Sequence, residues 1–245
     1  MGYYKERIIY ELMRLARSFH KKKIFIHIPK AAGMSIRRSN QLAGRIVTIN
    51  KDRLVNNIYA NGLKAKMDSI GDHHGFEHAR YIDVNSLTRE KFEAFAVIRN
   101  PWDRVASRYY FAKQVIEVEK KYDSGKHQIN SFEEFLEERH IWGNQKYMWH
   151  RAIRGWYPCY DYVVDENSNI SVDILRFENL NEDLCRYFGL KNMDKKRNVT
   201  AARSKKTSEL YNDKTIQIDA DWYKKDIDMF GYDFDCAPSK NTLYE

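Results

Sequence analysis

Lys30, Gly33 and Ser35 stand in and beside a short loop, residues 29–34, that leaves a β-branched apolar run and enters a segment of helical character. Such a connection presents unpaired backbone N–H groups and the positive end of a helix dipole, which together favour an anion. Gly33 has no Cβ, so backbone there can approach a phosphate closely. Lys30 adds a mobile positive charge and Ser35 a hydroxyl donor. Lysine precedes glycine here, so the loop is not the nucleotide loop in which Lys and then Ser or Thr follow glycine. Loop chemistry alone leaves two readings open, a phosphate site and an ordinary strand-to-helix connection with a surface lysine.

A second constellation runs from Phe95 to Tyr110. Arg99 falls where a strand should end and a helix begin, at the carboxyl end of a strand, the position that favours ligand contact in an α/β sheet. Ser107 lies about two helical turns further on, so an extended Arg99 and Ser107 can meet one phosphate. Arg104 and Arg108 share a helix face at i, i+4 spacing and read as a solvated face, with Trp102 as core. Residues 71–78 gather His73, His74 and His78, three side chains that titrate near neutrality. Without cysteine or a second histidine cluster they make a poor metal set, and solvent-facing imidazoles are the plainer reading.

These groups need elements to hold them. The run 24–28 is short, β-branched and stopped by Pro29, which predicts a buried strand, followed by a helix over 35–42 and a strand over 45–50. Residues 95–98 predict another buried strand. Asn100 and Pro101 then suit the N-cap and first position of a helix reaching Lys113. Ser131 and Glu134 have capping-box spacing. Residues 162–165 and 172–177 read as strands around a turn, 179–188 as a helix stopped by Gly189, and 213–229 as one helix. Helices alternating with short apolar strands predict an α/β domain with a central, mainly parallel sheet flanked by helices in three layers. No linker or repeat divides the chain. Residues 1–23 read as an amphipathic helix belonging to the same domain, and 24–245 as that single domain.

Composition narrows the partners. Hydrophobic residues make up 43% of the 245, enough for a core, and no run approaches the about 20 apolar residues that span a bilayer, so no integral membrane segment is expected. The first residues lack a continuous apolar stretch and do not read as a signal peptide. Lys and Arg number 42 against 34 Asp and Glu, a net charge of +8 that favours anionic partners without choosing among them. The basic residues are dispersed rather than interleaved with aromatics on one face, which argues against nucleic acid as the partner. Cys159, Cys185 and Cys236 form no disulfide or zinc pattern, and a reducing, cytoplasmic setting fits them. The sequons at Asn169 and Asn198 carry little weight against that, since such triplets often arise by chance. Abundant Lys, Asn and Ile point to a bacterial source.

The two segments resemble the paired nucleotide-binding signatures of the sulfotransferases that use 3′-phosphoadenosine 5′-phosphosulfate. The likeness is to the Golgi-type carbohydrate branch, with its heparan-sulfate 2-O-sulfotransferases and bacterial relatives. His27 to Ser35 matches the family's first motif and Arg99 to Ser107 its second; Leu175 to Leu180 and Tyr211 to Phe234 resemble its later segments. The resemblance implies a P-loop-like fold. It implies that backbone of Ala31, Ala32, Gly33, Met34 and Ser35 surrounds the 5′-phosphosulfate and that Lys30 stabilises the leaving oxygen. Arg99 and Ser107 would hold the 3′-phosphate, with Arg203 and Lys205 in a basic loop that closes over the donor. The family places a histidine base upstream of the second motif; His74 ranks first for that role, then His78 and His73, with Glu77 as an alternative base or an orienting carboxylate. No metal is implied. The acceptor would be a hydroxyl, on a carbohydrate by analogy. Tyr109, Tyr110, Tyr147, Trp149 and Trp156 could stack on sugar rings or serve as core. Position 31 departs from the family, which commonly has threonine there. Three alternatives stand beside this reading: a nucleotide-dependent kinase, a non-catalytic polyanion-binding module, and a related fold that binds nucleotide but no longer transfers.

Overall fold

In the computed structural model, residues 21–115, 129–147, 155–193 and 207–235 are described. Four short strands form its sheet: β1 (Lys23–Ile26), β2 (Ile46–Thr48), β3 (Ala94–Ile98) and β4 (Asp173–Arg176). All neighbours pair in parallel, in the order β2-β1-β3-β4. Every residue of β3 is buried, as a strand covered on both faces requires. Register places Ile26 beside Ala96 and Ala96 beside Ile174, bulky against small. Phe25 lies beside Phe95, their rings stacked at 5.1 Å.

The chain runs outward from β1 to β2, then returns to the other side of β1 to form β3. Strand order therefore reverses between β1 and β3, and the crevice at their carboxyl ends is where α/β sheets bind ligands. The loop after β1 and the turn after β3, which carry the two sequence constellations, both open there.

Nine helices are described around the sheet: α1 (Gly33–Arg37), α2 (Asn57–Ser69), α3 (Ser86–Lys91), α4 (Pro101–Lys113), α5 (Phe132–Trp142), α6 (Tyr160–Val163), α7 (Leu180–Phe188), α8 (Asp213–Trp222) and α9 (Lys224–Phe230). The predicted start of α4 is present: Asn100 caps the Asp103 amide and Pro101 opens the helix. Ser131 caps α5 by accepting from the Glu134 amide, and Gly189, at φ 62°, ends α7.

Several expectations are corrected. The helix predicted over 35–42 is the short α1, and Ser39 to Arg45 continue as turns closed by Leu42 N–H to Ser39 and Arg45 N–H to Leu42. Residues 162–165 are not a strand. Tyr162 and Val163 belong to α6, because the Asp226 carboxylate accepts the amides of Cys159 and Tyr160, both at 2.8 Å, and fixes a helical turn there. Only Val164 forms a single antiparallel bridge, with Ile170. The helix predicted over 213–229 is broken at Tyr223 into α8 and α9. Helices α2 and α3 were not expected from the sequence. Each follows a Val-Asn pair whose asparagine caps it, Asn56 for Tyr59 N–H and Asn85 for Thr88 N–H. Of the helix expected over 1–23, residues 1–20 lie outside the described residues, and 21–23 are not helical, since Lys23 opens β1 by pairing with its neighbours in the sheet.

Candidate active site

The loop after β1 is built on unusual backbone. Lys30 and Ala32 have φ values of 65° and 63°, left-handed conformations that cost a non-glycine residue about 1–2 kcal/mol. Left-handed residues alternating with ordinary backbone curve a chain into a concave nest of N–H groups, an anion-binding shape. Such strain persists where surrounding contacts over-determine it, and three sets of contacts do so here. The Arg99 guanidinium donates to the Lys30 carbonyl at 3.1 Å, Arg104 donates to the Pro29 carbonyl at 3.2 Å, and the buried Ala31 methyl anchors the centre of the loop.

Arg99 is 2% exposed, at the carboxyl end of β3. Its guanidinium lies 4.1 Å from the centroid of Phe177, just beyond the end of β4. Glu178, next in the chain, accepts the Asn100 amide at 2.7 Å, and the Asn100 side chain donates to the Asp233 carbonyl at 2.7 Å. The corner that aims Arg99 is thus clamped from β4 and from the segment after α9. Burial raises the Glu178 pKa, an effect that the Asn100 amide and the nearby Arg99 charge oppose. Arg176, at the end of β4, donates to the Phe230 carbonyl at 3.0 Å.

Lys30 extends along α4, its ammonium 4.1 Å from the Phe111 centroid. Ser107 is half-buried on the same helix. Arg104 and Arg108 are corrected from a solvated face to core: they are 1% and 0% exposed. Arg104 reaches the Tyr157 carbonyl at 2.7 Å and lies 3.9 Å from Asp226. Its charge opposes the burial that raises the Asp226 pKa to about 6. Arg108 lies 4.1 Å from the Trp156 ring and donates to the Tyr223 hydroxyl. Both arginines are buried because their partners are Trp156, Tyr157 and Cys159 before α6, Tyr223, and Asp226 on α9, which α4 meets only in the folded chain. Trp102 is core as expected, 4% exposed, its indole N–H bonded to the Ile216 carbonyl.

The three histidines separate. His78, in a 3-10 turn at Phe76–His78, packs against the loop after β1: its ring centroid is 4.2 Å from that of His27, and its Nδ1 is 2.8 Å from the His27 carbonyl. A carbonyl only accepts, so Nδ1 carries the proton and Nε2 the lone pair. Burial lowers the His78 pKa; the His27 carbonyl and Glu77 oppose that, while Arg37 and His73 add to it. Arg37, on α1, pairs with Glu77 at 3.5 Å, a second tie between the loop's helix and this turn. His74 instead meets Asp68, at the end of α2, at 2.9 Å, and His73 is exposed beside Asp72. So Arg99 is bonded to the loop at the Lys30 carbonyl and His78 at the His27 carbonyl, while His73 and His74 turn to Asp72 and Asp68.

The Gly33 expectation acquires a different physical reason. A Cβ there would fall 1.6 Å from Nε2 of His27, so the space is already taken by a protein side chain. The sequence reading gave His27 no role; its position at the head of the loop motif was the available signal. Among the aromatic candidates, Tyr109 and Trp156 are core, whereas Tyr110 and Tyr147 are half-buried. Arg203, Lys205 and Trp149 lie outside the described residues. Among the described residues no group of acidic, histidine and cysteine side chains could hold a metal, and no helix is long and apolar enough to cross a membrane.

Comparison with known proteins is consistent with this geometry. A family model described as the sulfotransferase family matches residues 15–233 of the chain. No curated protein and no solved structure matches it.

Proposed function

The chain belongs to the sulfotransferase family, and from that premise we propose that it transfers the sulfuryl group of 3′-phosphoadenosine 5′-phosphosulfate to a carbohydrate hydroxyl, with His78 as the general base. The observation that carries this reading is the hydrogen bond from Arg99 to the Lys30 carbonyl, which joins the two cationic motifs 69 residues apart in sequence. The residues present suit a doubly anionic nucleotide. A strained, concave loop carries Lys30 on one side, and a buried guanidinium stands beside it on the other.

In this assignment the backbone of Ala31, Ala32, Gly33, Met34 and Ser35 surrounds the 5′-phosphosulfate. Arg99 and Ser107 hold the 3′-phosphate, the feature that separates this donor from ordinary adenine nucleotides. His78 Nε2 takes the proton of the acceptor hydroxyl as the new O–S bond forms. The S–O bond to the phosphate breaks on the opposite side, and Lys30 stabilises the charge left on that oxygen. Positioning and fixed charge do most of the work, as in phosphoryl transfer.

The test is direct transfer to a panel of hydroxylated glycans, followed as release of 3′-phosphoadenosine 5′-phosphate across pH. A base must be neutral to act, so kcat/KM rises as pH climbs through the His78 pKa. Burial lowers that pKa, so the midpoint of the acid limb is expected below the ordinary imidazole value of about 6.5. A midpoint well above that value would exclude His78 as the base, and no transfer to any acceptor would count against the reaction itself.

A further inference from the structure

His27 lies where the loop and the base meet, and its contacts are of two kinds. Its ring, 6% exposed, occupies the space that a Gly33 side chain would need: Nε2, Cδ2 and Cε1 lie 1.6, 1.9 and 2.6 Å from the position of that Cβ. The same ring stacks on Phe25 of β1 at 5.5 Å and faces His78 at 4.2 Å. Its main-chain carbonyl accepts the His78 Nδ1 proton. Nδ1 of His27 is buried with no hydrogen-bond partner among the described residues, and burial, with smaller contributions from His78 and Arg37, lowers its pKa well below the usual value. The ring is therefore a neutral spacer, and its shape rather than its charge matters.

We propose that His27 is a positioning residue that joins the donor loop to the general base, its ring seating the Gly33 backbone and its ring face and carbonyl holding His78. The inference rests on the assignment of His78 as base, and it explains why glycine stands at position 33 without calling on a ligand. Loop and base then form one packed unit. A change that moves the His27 ring must disturb both nucleotide binding and the ionisation of His78.

The experiment compares His27→Ala, His27→Phe, Gly33→Ala and the double variant His27→Ala/Gly33→Ala. It uses thermal midpoints of the nucleotide-free protein, affinity for 3′-phosphoadenosine 5′-phosphate, and NMR titration of the His78 ring. Gly33→Ala alone should lower the midpoint and weaken nucleotide binding roughly ten- to a hundredfold, the scale of overpacking a filled site. Adding His27→Ala should restore both to the level of His27→Ala alone. In His27→Ala the His78 pKa should rise, since the buried face that desolvates it is gone, while Glu77, Arg37 and His73 still face it. His27→Phe keeps a ring in that space and should return the pKa and the affinity toward those of the parent. A purely structural role would lower every midpoint without moving the His78 titration. Additive effects of the two alanine substitutions, or an unmoved His78 pKa in His27→Ala, would overturn the proposal. If the parent protein fails to bind the nucleotide, the donor assignment falls, and the nucleotide-free midpoints and titration still decide the role of His27.

Discussion

His78→Ala is expected to lower kcat by roughly 10²–10⁴-fold, the usual contribution of a positioned general base. Donor affinity should change little, because the contact of His78 with the loop is a hydrogen bond to the His27 carbonyl, ahead of residues 30–35 that are assigned to the nucleotide. The role of His78 depends on which ring nitrogen is protonated. Nδ1 faces a carbonyl and must donate, so the lone pair is on Nε2 whenever the ring is neutral. His74→Ala is the control. Its Nε2 faces the Asp68 carboxylate on α2, and its removal should leave transfer nearly intact. Steady-state kinetics of the two variants decide between them. A dead His74→Ala beside an active His78→Ala would reverse the assignment and restore the order expected from sequence spacing.

Lys30→Ala should lower kcat by about 10²–10³-fold, the scale seen when one preorganised group that stabilises developing charge is removed. The effect should fall on turnover more than on donor KM, because the proposed assignment gives the ground-state contacts to the loop backbone and Arg99. Lys30→Arg is informative beside it. The left-handed backbone at position 30 is unchanged by that substitution, but a planar guanidinium does not place a point charge where an ammonium does. Partial recovery in Lys30→Arg would mark charge as the requirement. Loss of donor binding in Lys30→Ala, with kcat spared, would make Lys30 a binding residue only.

How much of this was legible in the sequence depends on where each side chain finds its partner. Strands β1 and β3 and the start of α4 were legible because their signals are local: a β-branched run stopped by proline, and an asparagine cap followed by Pro101. The pairing of the two motifs was legible as order along the chain. The hydrogen bond that joins Arg99 to Lys30 was not, since it depends on β1 and β3 being neighbours. Arg104 and Arg108 were misread for the same reason. Helical spacing puts them on one face, but only the residues before α6, Tyr223 and α9 reveal that the face is inside. Residues 162–165 have strand-like composition and become helical through Asp226, a residue far along the chain. The hydrogen bond of His78 to the His27 carbonyl was not legible either, since sequence distance to Arg99 cannot register a contact at the end of β1. Helix α2 buries Tyr59, Ala60, Leu63 and Met67, a narrow stripe in an otherwise polar segment, and its asparagine cap was the clearer signal.

The most direct measurement is calorimetric titration of the protein with 3′-phosphoadenosine 5′-phosphate, with 5′-AMP and with ATP plus magnesium, repeated for Arg99→Ala. The account predicts tight binding that requires the 3′-phosphate and is lost with the Arg99 guanidinium. Equal affinity for 5′-AMP, a preference for ATP with magnesium, or binding unchanged in Arg99→Ala would contradict it.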